Sequence, residues 1–182
     1  MRKRTLQVSP LQDKAETLSR YLCDHVMQIL KECNILDSSR TVIVGMSGGP
    51  DSTALLHVLC MIPSNVRPRI VVAHLNHGWR GKEADRDERS AQKTARDLIL
   101  TCITRRLMRV HGPARFRTEA WGRKCRFDFF VELCQITHAD AVLTAHHMDD
   151  QAETVLMHIL RGAGPDGLAG MRVSAQMGEW RL

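Results

Sequence analysis

The chain has 182 residues, with 43% apolar and 25% charged content and a net charge of +6. That is enough for one domain with a buried core, and the basic balance leans toward a polyanionic partner. No apolar run approaches the ~20 residues of a membrane helix, and six scattered cysteines without a CxxC pair exclude a zinc ribbon or a disulfide scaffold.

The N-terminus, MRKRTLQVSP, is basic and has no apolar h-region, so secretion is not expected; the address is cytoplasmic, with an organellar one left open. Apolar residues then recur at Leu11, Ala15, Leu18, Leu22, Val26, Ile29, Leu30 and Cys33, which predicts an amphipathic helix over 11–36 lying against the first strand. Residues 1–40 are therefore expected to form a helical lead-in to a domain spanning 41–182. The β-branched run 41–46 predicts a buried strand, followed by a turn and a helix over 53–61. A second strand is expected at 68–75, a loop at 76–80 and a charged helix at 83–98. A third strand falls within 98–110, and a helix over 117–137 should turn Phe127, Phe130, Val131, Leu133 and Cys134 inward. A fourth strand at 139–145 and a helix at 149–160, ended by Gly162, complete the pattern. Strand alternating with helix argues for an α/β fold, a parallel doubly wound Rossmann-like sheet with helices on both faces.

The turn after the first strand reads Ser47, Gly48, Gly49, Pro50, Asp51, Ser52. Backbone N–H groups unshielded at the glycines, next to a helix N-terminus, suit an anion. The pattern lacks the Lys of GxxxxGK[ST] and carries Asp51 instead, which suits a divalent cation. The alternative is an ordinary turn with Asp51 as the helix N-cap.

In such sheets ligands gather beyond the carboxyl ends of the strands. Asn76, His77 and Gly78 follow the second strand, and the ionisable run 146–154, HHMDDQAET, follows the fourth. Asp150 and Glu153 are three apart on one helix face, where paired carboxylates can hold a cation or accept a proton from an amine. Capping by Asp149, with Glu153 one turn on, is the competing explanation. A zinc site from His74, His77, His146 and His147 lacks the usual ligand spacing. Arg123 and Arg126, also three apart, could grip phosphate or merely form a solvated pair. They belong to a basic crowd with Arg105, Arg106, Arg109, Arg115, Arg117 and Lys124, opposed within that segment only by Glu119. Aromatics are 4% of the chain, too few to favour a nucleic-acid stacking platform.

The loop SGGPDS resembles that of the N-type ATP pyrophosphatases, which adenylylate a substrate and release pyrophosphate. The further stretches HLNHGWRGKEADRDE (74–88), AHHMDDQAET (145–154) and RGAGPDGLAGM (161–171) narrow the resemblance to the catalytic domain of tRNA(Ile)-lysidine synthetases, over about 42–171. Related tRNA-thiolating enzymes use cysteine pairs that are missing here. The resemblance implies an adenine nucleotide alpha hydrolase-like fold and a two-step reaction. ATP adenylylates the wobble cytidine of tRNA(Ile), and free lysine then displaces AMP.

By the same resemblance Ser47, Gly48, Gly49, Pro50, Asp51 and Ser52 would hold ATP, with His77 lining the nucleotide pocket. Asp51, joined by Asp150, would bind Mg²⁺. Asp150 and Glu153 would position lysine, and Arg123 or Arg126 would stabilise phosphate charge. No membrane partner is implied, and a homodimer is compatible with it. Gly122 stands where the family usually has Ala, and GEWRL at 178–182 resembles only the opening of the family's next strand. Two other readings stay open: a nucleotide- or tRNA-binding remnant without turnover, and an ATP pyrophosphatase with a different acceptor.

Overall fold

A computed structural model describes residues 10–107, 118–160, 170–171, 176–177 and 180–181. The first strand, β1 (Thr41–Gly45), lies near the middle of a six-stranded sheet ordered β3-β2-β1-β4-β6-β5. Its neighbours are β2 (Arg69–Asn76) and β4 (Ala141–Thr144), both parallel to it, and β3 (Thr101–Arg106) pairs parallel with β2. Two short strands finish the sheet beyond β4: β6 (Trp180–Arg181) runs parallel to β4, and β5 (Gln176–Met177) runs antiparallel to β6. The sheet is thus parallel and doubly wound as expected from β3 through β6, and β5 adds one short antiparallel strand at its edge. Four strands had periodic or β-branched signals, whereas two-residue strands are too short to carry one.

Helices cover both faces. On one side α1 (Pro10–Glu32), α2 (Pro50–Met61) and α3 (Lys82–Asp97) enclose Val42, Val44, Ile70 and Val72 with Leu30, Leu56, Leu59, Ala91 and Ala95. The long first helix packs mainly beside α2 rather than directly on β1. On the other side α4 (Glu119–Thr137) brings Phe129, Phe130, Leu133 and Cys134 onto Ile43, Val71, Ala73, Leu75 and Val142. Each such fully buried aliphatic or aromatic side chain stabilises by about 1.5–3 kcal/mol. The inward set of α4 is corrected at Val131 and Phe127, both only half-buried; the Phe127 ring lies beneath the Arg123 guanidinium, 5.8 Å from the ring centroid. Phe129 takes the core position instead.

The strand and helix ends are pinned by polar contacts. Asp140 accepts from the Thr41 amide at 2.8 Å and pairs with Arg40 at 2.5 Å, tying the entries of β1 and β4 together. Thr118 caps α4 by accepting from the Trp121 amide at 3.2 Å. The result places the turns after β1, β2 and β4 at one end of the sheet, and a fifth helix, α5 (Met148–Leu160), starts there.

Candidate functional site

The turn after β1 is tighter than expected, because α2 starts at Pro50 rather than Thr53. Proline in the first helical turn needs no amide partner and has φ already set, so it begins the helix directly after the glycines. Gly49 is the N-cap and has no side-chain cap bond, so Asp51 is not the cap. Its carboxylate is instead 60% exposed, in the first turn of the helix. Ser47 and Ser52 close the loop through their hydroxyls, 3.0 Å apart, and Ser52 Oγ also accepts from the Ser47 amide at 3.2 Å. Ser47 Oγ accepts from the Gly49 amide at 3.2 Å.

Gly48 decides the shape of this bend. Its φ is +89°, which side-chain-bearing residues rarely adopt, and a Cβ there would lie 2.6 Å from Asp87 Cβ and 2.8 Å from Asp87 Cα. The bend thus seats its bare backbone against α3. Beside it opens a cavity of about 320 Å³ lined by Gly48, Arg80, Glu83, Arg86, Asp87 and Ser90.

From across the sheet comes the start of α5. His147 Nε2 lies 3.7 Å from the Asp51 carboxylate and 3.7 Å from that of Asp150. Two carboxylates from different strand ends therefore converge on one imidazole. The capping reading is right in kind but falls on other residues: Asp150 accepts from the His147 amide at 2.8 Å, and His147 Nδ1 accepts from the Asp149 amide at 3.2 Å. Asp150 caps with one oxygen and has a second left over. Glu153 is exposed one turn further on.

Beyond β2, Asn76 is 1% exposed and bonds on every side. Its Nδ2 donates to Glu88 at 2.7 Å and Asp85 at 3.2 Å, while its Oδ1 accepts from the Gly78 amide at 2.8 Å. Arg106 of β3 joins the same acids, at 2.7 Å from Glu88 and 3.2 Å from Asp85. Burial pushes the Glu88 carboxyl up, but hydrogen bonds from Asn76 and Arg106, with the Arg106 charge, hold it below its ordinary value. His74, 4% exposed, has Nδ1 2.9 Å from the Met46 carbonyl, and its buried Nε2 has no partner. Burial, then the charge of Arg126 and His74, pushes the His77 imidazole below its usual value.

Asp51, Asp150 and the 47–52 bend are thus brought to one place. His77 and Arg126 share a neighbouring cluster at the end of β2, whereas Arg123 leans on Phe127. Three of the basic crowd pair with acids: Arg106 with Glu88 as above, Arg105 with Glu132 at 2.5 Å and Lys124 with Asp128 at 3.0 Å. Arg109, Arg115 and Arg117 lie outside the described residues, as does nearly all of the loop 161–171. Of that loop, Met171 donates its amide to Gln151 Oε1 of α5 at 2.7 Å. Among the described residues no cluster of three or more His, Cys, Asp or Glu forms a metal site, so the four-histidine zinc arrangement is not assembled.

Residues 19–182 match the PP-loop domain model, which covers the bend and every described strand. The chain belongs to the PP-loop family of ATP-binding domains. The chain is 35% identical over 153 residues to the tRNA(Ile)-lysidine synthase of Clostridium tetani, covering 83% of this chain and 33% of that protein. With the Bacillus subtilis tRNA(Ile)-lysidine synthase it shares 37% identity over 162 residues, 86% of this chain and 34% of the other. It thus spans about a third of the length of the curated relatives it matches. Among solved structures, a U34-tRNA thiolase, NcsA, from Methanococcus maripaludis superposes with a TM-score of 0.61 at 18% identity, over 83% of this chain and 53% of that one. At that identity the likeness concerns the fold, and it agrees with the doubly wound PP-loop sheet.

Sequence reasoning put Asn76 and His147 at this end of the sheet but gave neither its role, the polar knot around Asn76 and the contact of His147 with Asp51 and Asp150, and it missed the ring pair Trp79–Trp121. Asn76 had a legible signal, an amide closing a run of buried strand residues. His147 had a weaker one, because its role depends on which residue begins α5.

Proposed function

We propose that this PP-loop domain activates the wobble cytidine of an isoleucine tRNA with ATP and then joins free lysine to it, giving lysidine. The observation that carries this reading is the meeting of Asp51 and Asp150 on His147 beside the Gly48 bend. It is supported by the similarity to relatives named tRNA(Ile)-lysidine synthase. No helix among the described residues is long and apolar enough to cross a membrane, and the reaction belongs in the cytoplasm.

The bend fits a triphosphate: it opens directly onto the N-terminus of α2, with the hydroxyls of Ser47 and Ser52 beside it. Asp51 and Asp150 fit Mg²⁺, which commonly takes one or two protein carboxylates together with substrate phosphates. Mg²⁺ held there supplies charge neutralisation on the phosphate oxygens. In the first step the cytidine C2 oxygen bonds to the α-phosphorus and pyrophosphate departs. The guanidiniums of Arg126 and Arg123 are the cations that offset the growing negative charge.

In the second step the lysine ε-amine bonds to C2 and AMP departs with the oxygen. An ammonium is no nucleophile, so its proton must leave first. Asp150, with an oxygen not used in capping, and Glu153 on the same helix face orient the amine and receive that proton.

The test is pyrophosphate release from ATP by the purified chain with lysine and unmodified tRNA(Ile). Release that requires the tRNA is expected. Release independent of tRNA would replace the acceptor with another molecule, and no release would leave a binding domain without turnover.

A further inference from the structure

Two of the chain's three tryptophans meet at the end of β2, where composition had argued against any aromatic platform. Trp79 stacks on His77 with ring centroids 5.1 Å apart and meets Trp121 of α4 at 5.7 Å. A Cβ on Gly122 would come within 2.6 Å of the Trp79 ring, so the absence of a side chain at that position is what seats the indole against α4. Despite these neighbours Trp79 remains 37% exposed. A ring serving only the core would be covered. This one is fixed on its inner side and open on its outer side.

Charged residues lie beside it in the chain and across the bend. Arg80 follows it in sequence and lines the cavity beside Gly48, Arg126 acts electrostatically on His77, and Arg123 lies on the same helix as Trp121. A held, exposed indole followed directly by Arg80, whose cavity reaches the Gly48 bend, matches how proteins bind unpaired nucleotides: the rings stack on bases and the cations meet phosphates.

We propose that Trp79, backed by Trp121 and His77, is a stacking platform for an unpaired nucleobase of the RNA acceptor. This rests on the reading that RNA is the substrate. A base stacked there would place its strand beside the bend that holds ATP, and Gly122 would be the residue that makes the platform fit.

The experiment measures binding alone, so lysine transfer is not needed to read it. The full chain is titrated with a fluorescein-labelled, cytidine-containing single-stranded RNA of anticodon-loop length, and separately with ATP. Trp79→Ala should weaken RNA binding by about 5- to 100-fold, the range for losing one stacked base. Trp79→Phe should recover most of that loss, and ATP affinity should hold in both variants. If the Ala variant does not fold, Trp79→Leu keeps apolar bulk without a π-face and should bind RNA as poorly. Unchanged RNA affinity in the Ala or Leu variant would overturn the platform. So would loss of ATP affinity in step with RNA, since the stacked base would then be adenine. Failure of lysine incorporation with Trp79-dependent RNA binding intact would sink the proposed reaction and leave the platform standing.

Discussion

At the residue scale, Asp51 and Gly48 make opposite demands on the chain. Asp51 is largely exposed and is not the N-cap of α2, so the fold gains little from its charge. Asp51→Asn should leave the thermal midpoint unchanged and lower pyrophosphate release by about a hundredfold or more; thermal denaturation and a coupled pyrophosphate assay measure the two. Gly48 is needed by both fold and site. Gly48→Ala must adopt an unfavourable φ and push into Asp87, whose backbone would be 2.8 Å away. It should destabilise by about 1–3 kcal/mol and abolish ATP binding, as read by denaturant titration and equilibrium dialysis. Asp150 stands between these cases, since it caps α5 and faces the site. Asp150→Asn should slow lysine transfer more than adenylylation, which single-turnover measurements of each half-reaction would separate.

At the element scale, β2, α3 and β3 are locked by one polar knot: Asn76, Glu88, Asp85 and Arg106. The knot holds the Gly78 amide and so fixes where His77 and Trp79 emerge from the strand. The folded Glu88 carboxyl titrates below its ordinary 4.5. The unfolded chain therefore binds the proton first, and this part of the stability is complete above that pH and fades as the pH falls through the folded value. Glu88→Gln should destabilise by about 1–3 kcal/mol at neutral pH and flatten the acid limb of a stability-versus-pH curve below about 4.5; an unchanged acid limb would remove Glu88 from the account. Elements of this kind were only half legible in the sequence. The strands β1 and β2 announced themselves by continuous β-branched residues, because both their faces are buried. The start of α2 was misplaced by three residues because Pro50 looks like a turn residue and acts as a helix initiator. Phe127 and Phe129 are two apart on α4, and local spacing does not say which one the sheet will cover.

At the scale of the whole molecule, the doubly wound sheet does one thing for chemistry: it delivers three unrelated turns to one end. The glycine bend and the 146–154 run were both visible as motifs, and the parallel topology was enough to expect them together. The contact that joins them, His147 between Asp51 and Asp150, was not visible, since it arises only when β1 and β4 pair in register, with Gly45 beside Thr144. The basic crowd also needed the fold to interpret. Arg105 and Arg106 neutralise acids from α4 and α3, so among the described residues the charge left for a polyanion is smaller than the sequence count. The most direct test of the whole arrangement is a crystal structure of the chain with a non-hydrolysable ATP analogue and Mg²⁺. The triphosphate should lie in the bend at Ser47–Ser52, with the metal at Asp51 and Asp150. A nucleotide bound elsewhere, or a bend left empty at saturating analogue, would contradict the account.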